Sequence, residues 1–272
     1  MSSRKPYFQV IDGIQRCPNL NPTVFRESLS FKAQEGDVVL SAYPLCGAKW
    51  VLYIIQLILK QGEPITSHND FNKFVRSIDH SNCQNWESQL PARLFLTRTP
   101  FQRDTMNPEA KYICVARNPW VVCVSFFHRV VDLSVYRFQD GTFEEFFDSF
   151  LDDTFGLRNY IDVVGAGYSL RHDPNGFFLT YEELAKNTKE MVLSLAAFLG
   201  KNYSTILETD TDVLQKILLW CTPEHMKDLM VVTMRQGTNG SRVTSKIGYN
   251  GDNGKYSVVR SARVGQWREY FT

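Results

Sequence analysis

Apolar positions along the chain fall into two kinds of run. Four are short and rich in β-branched or aromatic residues: Asp37 to Ala42, Arg93 to Leu96, Lys111 to Ala116 and Gly176 to Thr180. Their brevity and composition predict buried strands. Three longer runs follow closely on three of these and predict helices: Trp50 to Lys60, Pro119 to Leu133 and Glu182 to Leu199. Strand followed by helix at this spacing predicts βαβ units, hence a parallel sheet covered by helices on both faces. Further helices are expected at Thr142 to Phe150, Asp210 to Trp220 and Glu224 to Met230. In such sheets ligands collect at the carboxyl ends of the strands.

Length and composition narrow this picture. The chain has 272 residues, with 43% hydrophobic and 13% aromatic, which suits one large α/β domain over residues 1–272. A formal net charge of +1 argues against nucleic acid as a partner, so any anion site must be local. The amino terminus lacks the apolar core of a secretory signal, and the longest apolar run is too short to span a bilayer. No membrane association is expected. Six scattered cysteines without a CxxC pair read as reduced thiols in a cytoplasmic protein, and no His/Cys cluster has metal spacing. In that setting the triplets at Asn202 and Asn239 are expected to be unmodified.

Two places between strand and helix carry chemistry. In the first, SAYPLCGAKW (Ser41 to Trp50), a strand, a turn containing Gly47 and a helix form a P-loop-like layout. Such a turn aims backbone N–H groups at an anion. Here Leu45, Cys46 and Ala48 stand where polar groups would be expected, and Lys49 is the one cation. The second is Arg117-Asn118-Pro119. Asn118 is a natural N-cap, Pro119 fits the first helical position, and Ser125 lies about two turns on. Arginine and hydroxyl at a helix start suit a phosphate monoester, although an arginine paired with a carboxylate would read the same way. Residues 235–263, with five glycines and many polar residues, read as a long mobile loop of the lid or binding type.

With these motifs in order, the chain from about Phe25 to Thr272 resembles the cytosolic sulfotransferases, which move a sulfuryl group from PAPS (3'-phosphoadenosine 5'-phosphosulfate) to a hydroxyl or amine. The family's YPKSGTTW is matched by YPLCGAKW, its Arg-Asn with a serine eight residues later by Arg117 and Ser125, and its Tyr-Glu by Tyr181-Glu182. Its RKGxxGDWK is matched by RSARVGQWR, Arg260 to Arg268. The resemblance implies PAPS as co-substrate, without a metal, and a small phenolic, steroid-like or amine acceptor. It further implies that Leu45, Cys46, Gly47, Ala48 and Lys49 wrap the 5'-phosphosulfate. Trp50 would stack on the adenine and Tyr181 would contact it. Arg117, Ser125 and Arg260, with Ser261 and Ala262 beside it, would hold the 3'-phosphate beneath the lid.

The matched motifs differ at the positions that act in the reaction. The family's KTHLP segment aligns with Leu96 to Pro100, which puts Arg98 in place of the histidine base, and Leu45 replaces the loop lysine. Arginine stays protonated at ordinary pH and cannot accept the acceptor's proton. Losing a positioned base typically costs on the order of 10²–10⁴ in rate. Lys49 is the candidate to supply the missing loop charge, against the alternative of a solvated lysine. His68 and His80 are the candidates for another base, while a helical His128 reads as structural. Phe8, Trp86, Phe101 and Phe143 are candidate acceptor liners. Two functions stay open: a sulfotransferase using Arg98 and Lys49, or a relative that binds PAPS, its product PAP or a small aromatic ligand without turnover. A nucleotide kinase is disfavoured by the absence of GxxxxGKS/T. The family's dimer motif would begin at Arg268, so a monomer or weak dimer is expected.

Overall fold

The computed structural model describes residues 4–152, 159–233, 255–257 and 266–271. The chain opens with a small hairpin of β1 (Gln9–Ile11) and β2 (Ile14–Arg16), then α1 (Pro22–Ser28). Next come β3 (Val38–Ser41), α2 (Ala48–Leu59), α3 (His68–Lys73), β4 (Val75–Ser77), β5 (Leu94–Thr97), β6 (Lys111–Ala116) and α4 (Pro119–Asp132). They are followed by α5 (Phe143–Leu151), α6 (Tyr160–Ser169), β7 (Gly176–Thr180), α7 (Tyr181–Lys186) and α8 (Thr188–Leu199). The chain continues through α9 (Lys201–Thr209), α10 (Thr211–Trp220), α11 (Pro223–Leu229), β8 (Val231–Thr233) and β9 (Lys255–Ser257).

Five strands form one parallel sheet in the order β4-β5-β3-β6-β7. The four expected strands are all present, within a residue of their sequence limits. Alternation sorts their side chains onto two faces. Val38, Leu40, Leu94, Leu96, Ile113 and Val115 join the larger core with α2, α4 and α8. Val39, Phe95 and Tyr112 point into a second core with Leu170. This is the period-2 pattern of a sheet buried on both faces. On the second face α6 lies so close that a Cβ on Gly167 would sit 2.0 Å from Cys114 Sγ. Only glycine fits there.

Most of α2 is buried, including Gln56, and this helix is the central element of the larger core. The expected single helix from Glu182 to Leu199 is two, α7 and α8. Asn187, with φ −128° and ψ 52°, caps the first and starts the second. At the other predicted boundaries the caps are local: Asn118 accepts from Trp120 N at 3.0 Å, and Thr142 with Glu145 completes a capping box. Five of the six cysteines are buried, and all six are free thiols. Among the described residues no helix is long and apolar enough to cross a membrane.

Sheet order decides where a site can form. From β3 the chain runs out toward β5 and β4, and from β6 it runs the opposite way toward β7. The loops after β3 and β6 therefore part from one another and leave a crevice at the carboxyl ends of two adjacent strands. Of the lid segment, Lys255–Ser257 pairs antiparallel with Val231–Thr233. The rest of residues 235–263 lies outside the described residues.

Candidate active site

The turn after β3 is built by two left-handed residues. Leu45 has φ 70° and Gly47 φ 97°. For leucine this backbone region is unfavourable by about 1–3 kcal/mol, so the surroundings must hold it there. Arg117 does part of that work: its Nη1 donates to Leu45 O at 3.0 Å. Gly47 is fixed for a second reason, because a Cβ would lie 2.7 Å from the Tyr181 ring. Helix α2 begins directly after the turn, and its first N–H groups, at Ala48 and Lys49, have no carbonyl within the helix to accept them. The result is a concave row of donors at the positive end of a helix dipole.

The second turn locks onto the first. Arg117 follows β6, and its guanidinium lies 4.1 Å from the centre of the Tyr181 ring. Tyr181 meets Trp50 edge to face at 5.2 Å, and Trp50 Nε1 donates to Cys221 O at 2.8 Å. Tyr160 Oη donates to Arg117 O from below, and Asn118 N donates to Glu182 Oε1 at 3.0 Å. Arg117 Nε is buried without a hydrogen-bond partner among the described residues. A buried donor left in this state costs about 1–3 kcal/mol unless a ligand satisfies it.

A cavity of about 780 Å³ opens above these turns. It brings together Leu45, Gly47, Ala48, Lys49, Trp50, Arg98, Arg117, Ser125 and Tyr181, residues drawn from four different parts of the chain. Cys46 is not among its lining residues. Its side chain is fully buried, and burial pushes the thiol up to about 12, so any contact with a ligand is through its backbone. Arg260, Ser261 and Ala262 lie outside the described residues.

Away from these two turns, the cavity wall is centred on Arg98. This residue follows β5, and its Nη1 donates to Ala42 O at 3.1 Å. The neighbouring carboxylate, Asp79, is occupied by the end of β5: it accepts from the backbone Arg98 N at 2.8 Å and from the Thr97 hydroxyl, Oγ1, at 3.2 Å. Burial pushes the Arg98 guanidinium down from its usual value, Asp79 opposes this, and Arg129 adds to it. Arg129 also lines the cavity, one turn beyond Ser125 on α4.

Lys49 is not the solvated lysine that was one expectation. Its Nζ lies 3.0 Å from His68 Nε2, at the start of α3. Burial brings its amine down to about 7, helped by the charges of Arg129 and Arg98. His68 is held near 4 by burial and by Lys49, so the imidazole is neutral at ordinary pH. A protonated Lys49 donates to Nε2, and a neutral one accepts from an Nε2–H. Either way His68 is committed to Lys49 and is not a free base.

The other candidates separate clearly. His80 lines the cavity and is exposed. His128 Nε2 and Tyr270 Oη lie 2.8 Å apart, a structural contact that ties the last residues to α4. Among the proposed acceptor liners only Phe101 faces the cavity. Phe8 packs on Tyr136, Trp86 sits between Arg76 and Phe95, and Phe143 packs with Phe147 and Phe271. The apolar wall comes instead from Phe25, Phe31, Ile78, Met106 and Tyr112. Sequence reading missed these, and Arg129, because nothing local distinguishes them from core or helix-surface residues. Among the described residues no group of three or more His, Cys, Asp or Glu could hold a metal.

Known proteins match the chain over most of its length. Residues 35–272 match the family model of the sulfotransferase domain. Sulfotransferase 1C2 of Rattus norvegicus is 26% identical, over 99% of this chain and 89% of the relative. Amine sulfotransferase of Oryctolagus cuniculus is 27% identical, over 89% of this chain and 77% of its own. Among solved structures, mouse sulfotransferase SULT7A1 complexed with PAP superposes with a TM-score of 0.66. That likeness covers 97% of this chain and 88% of the mouse chain at 19% identity, and it speaks for the fold.

Proposed function

The chain belongs to the sulfotransferase family, and from that premise we propose that it binds PAPS and transfers its sulfuryl group to a hydroxyl or amine of a small acceptor. The observation that carries this is the joining of the two anion turns. Arg117 holds Leu45 O and lines the same cavity as Leu45, Gly47, Ala48 and Lys49, so both strand ends face one cavity. A nucleotide with two anionic ends satisfies both sets of donors at once.

In this reading the turn from Leu45 to Lys49 receives the 5'-phosphosulfate through its backbone. Arg117 and Ser125 receive the 3'-phosphate, and Trp50 with Tyr181 forms the wall for the base. PAPS supplies an activated sulfuryl group whose leaving oxygen gains negative charge. Lys49 lies in the same turn on a flexible stem, and with an amine near 7 it is readily reprotonated beside a bound anion. It supplies the positive charge that Leu45 cannot. Preorganised donors aimed at developing charge are a large source of rate enhancement.

The second reading, PAP binding without turnover, is favoured by Arg98, which has no means of taking a proton. Calorimetry with PAP, followed by transfer of label from PAPS to a panel of phenols, steroids and amines, separates the two. Micromolar PAP binding with labelled product is the expected result. Binding without any product supports the second reading, and no heat up to millimolar PAP removes both.

A further inference from the structure

We propose that the acceptor is one that arrives already ionised, an acidic phenol bound as its phenolate with the oxyanion against Arg98, so that the protein needs no base. The inference rests on the sulfuryl-transfer reading and narrows its acceptor class.

Charge in the cavity is the first support. The chain as a whole has a formal net charge of +1, yet the cavity is lined by seven lysine and arginine side chains and two aspartates. The cations are Arg16, Lys32, Lys49, Arg98, Arg117, Arg129 and Lys227; the acids are Asp79 and Asp132. Arg117 and Lys49 belong to the nucleotide turns. Arg98 does not, and among the described residues its guanidinium has one hydrogen-bond acceptor, Ala42 O. Its remaining N–H groups are left for a ligand. Burial disfavours the charged forms of Arg98 and Lys49; Asp79 offsets this at Arg98, while Arg129 adds to it there and Arg129 and Arg98 add to it at Lys49. A neutral hydroxyl would leave these penalties in place, whereas an oxyanion among the cations relieves them.

Proton traffic is the second support. At this end of the cavity Arg98 is permanently protonated and His68 is engaged by Lys49, which leaves His80 at the wall and the neutral form of Lys49 as the side chains that could take a proton. An acceptor that has lost its proton to water before binding avoids the step altogether. The aromatic lining of Phe25, Phe31, Phe101 and Tyr112 suits a ring more than an aliphatic alcohol. The phenolate's lone pair then forms the new O–S bond as the S–O bond to the nucleotide's phosphate breaks. The bonding pair and the negative charge pass to that phosphate oxygen, beside the donors of the turn and Lys49.

The test uses the full chain saturated with PAP and a nitrophenol whose phenolate is coloured. Its ionisation is followed by absorbance as the pH is varied. A guanidinium against the oxyanion should lower the bound phenol's pKa by about 1 unit or more. Arg98→Gln should abolish the shift and Arg98→Lys should keep most of it; near-native circular dichroism of the variants confirms folding. No shift with the native chain, whether from a neutral bound phenol or from no binding, overturns the proposal, as does a shift that survives Arg98→Gln. Turnover provides a second readout. Near neutral pH, kcat/KM across phenols of graded acidity should fall about tenfold for each unit of pKa above the pH, following the phenolate fraction. Equal rates for weakly acidic phenols overturn it too. PAP calorimetry is read separately, so loss of the nucleotide reading is not confused with loss of this one.

Discussion

The carboxyl ends of β3 and β6 and that of β5 lie side by side in one sheet, yet they are built on different principles. At β3 and β6 each functional group is fixed by several others. Arg117 holds Leu45 O, stacks on Tyr181 and is braced by Tyr160, while Tyr181 closes on Gly47 and Trp50. At β5 the backbone is equally well held, through Asp79, but the side chain presented is a half-buried arginine beside other cations. The first region is architecture, in which backbone amides and interlocking rings form a cradle, proposed above to take an anion, that tolerates Leu45, Cys46 and Ala48. The second is side-chain chemistry, and one residue changes what it can do. A fold can keep the one while replacing the other.

Gly47→Ala attacks the architecture directly and should have a large effect. The new Cβ meets the Tyr181 ring at 2.7 Å in a backbone already at φ 97°. With a strain of about 1–3 kcal/mol and a displaced Tyr181, PAP affinity measured by calorimetry should fall at least about tenfold. Unchanged affinity would show that the interlock is dispensable.

A smaller effect sharpens the boundary between the two regions. Lys49 belongs to the turn after β3, and burial, with the charges of Arg129 and Arg98, brings its amine to about 7. In the proposed function a bound nucleotide's anion would favour the protonated amine. Below that value Lys49 is protonated with or without nucleotide, so it makes no pH dependence. Above it, binding must take up a proton and PAP affinity should weaken, by about tenfold over one to two pH units. Lys49→Met should bind more weakly at low pH and lose this slope. A slope identical in the two proteins would remove Lys49 from the nucleotide site. The same lowered pKa means that the unfolded chain binds more protons between about 7 and the usual lysine range. Through this group alone, folding stability should therefore rise with pH across that window.

Much of this was legible in the chain and some was not, for identifiable reasons. Strand runs such as Val38 to Leu40 and Ile113 to Val115 are buried on both faces, so their apolar content is continuous and easily read. Glycine, asparagine and proline marked the cradle and the cap of α4 because their backbone roles are local. By contrast Val75–Ser77 is a three-residue edge strand whose pairing with β5 is set by distant contacts. The break at Asn187 hides in a sequence with helical periodicity on both sides. The Lys49–His68 pair spans 19 residues and two helices, and only the packing of α3 on the start of α2 creates it. Arg129 reads as an ordinary polar position of α4 until the sheet brings Arg98 near it.

The most direct measurement is a paired calorimetric titration of PAP into the Arg117→Ala and Arg98→Gln variants. If the β6 end holds the nucleotide and the β5 end the acceptor, Arg117→Ala should weaken PAP by about 10- to 150-fold, the loss expected for a charge-assisted contact of about 1.5–3 kcal/mol. Arg98→Gln should then leave PAP affinity within about twofold. Equal losses in the two variants, or a larger loss in Arg98→Gln, would contradict the division of the site.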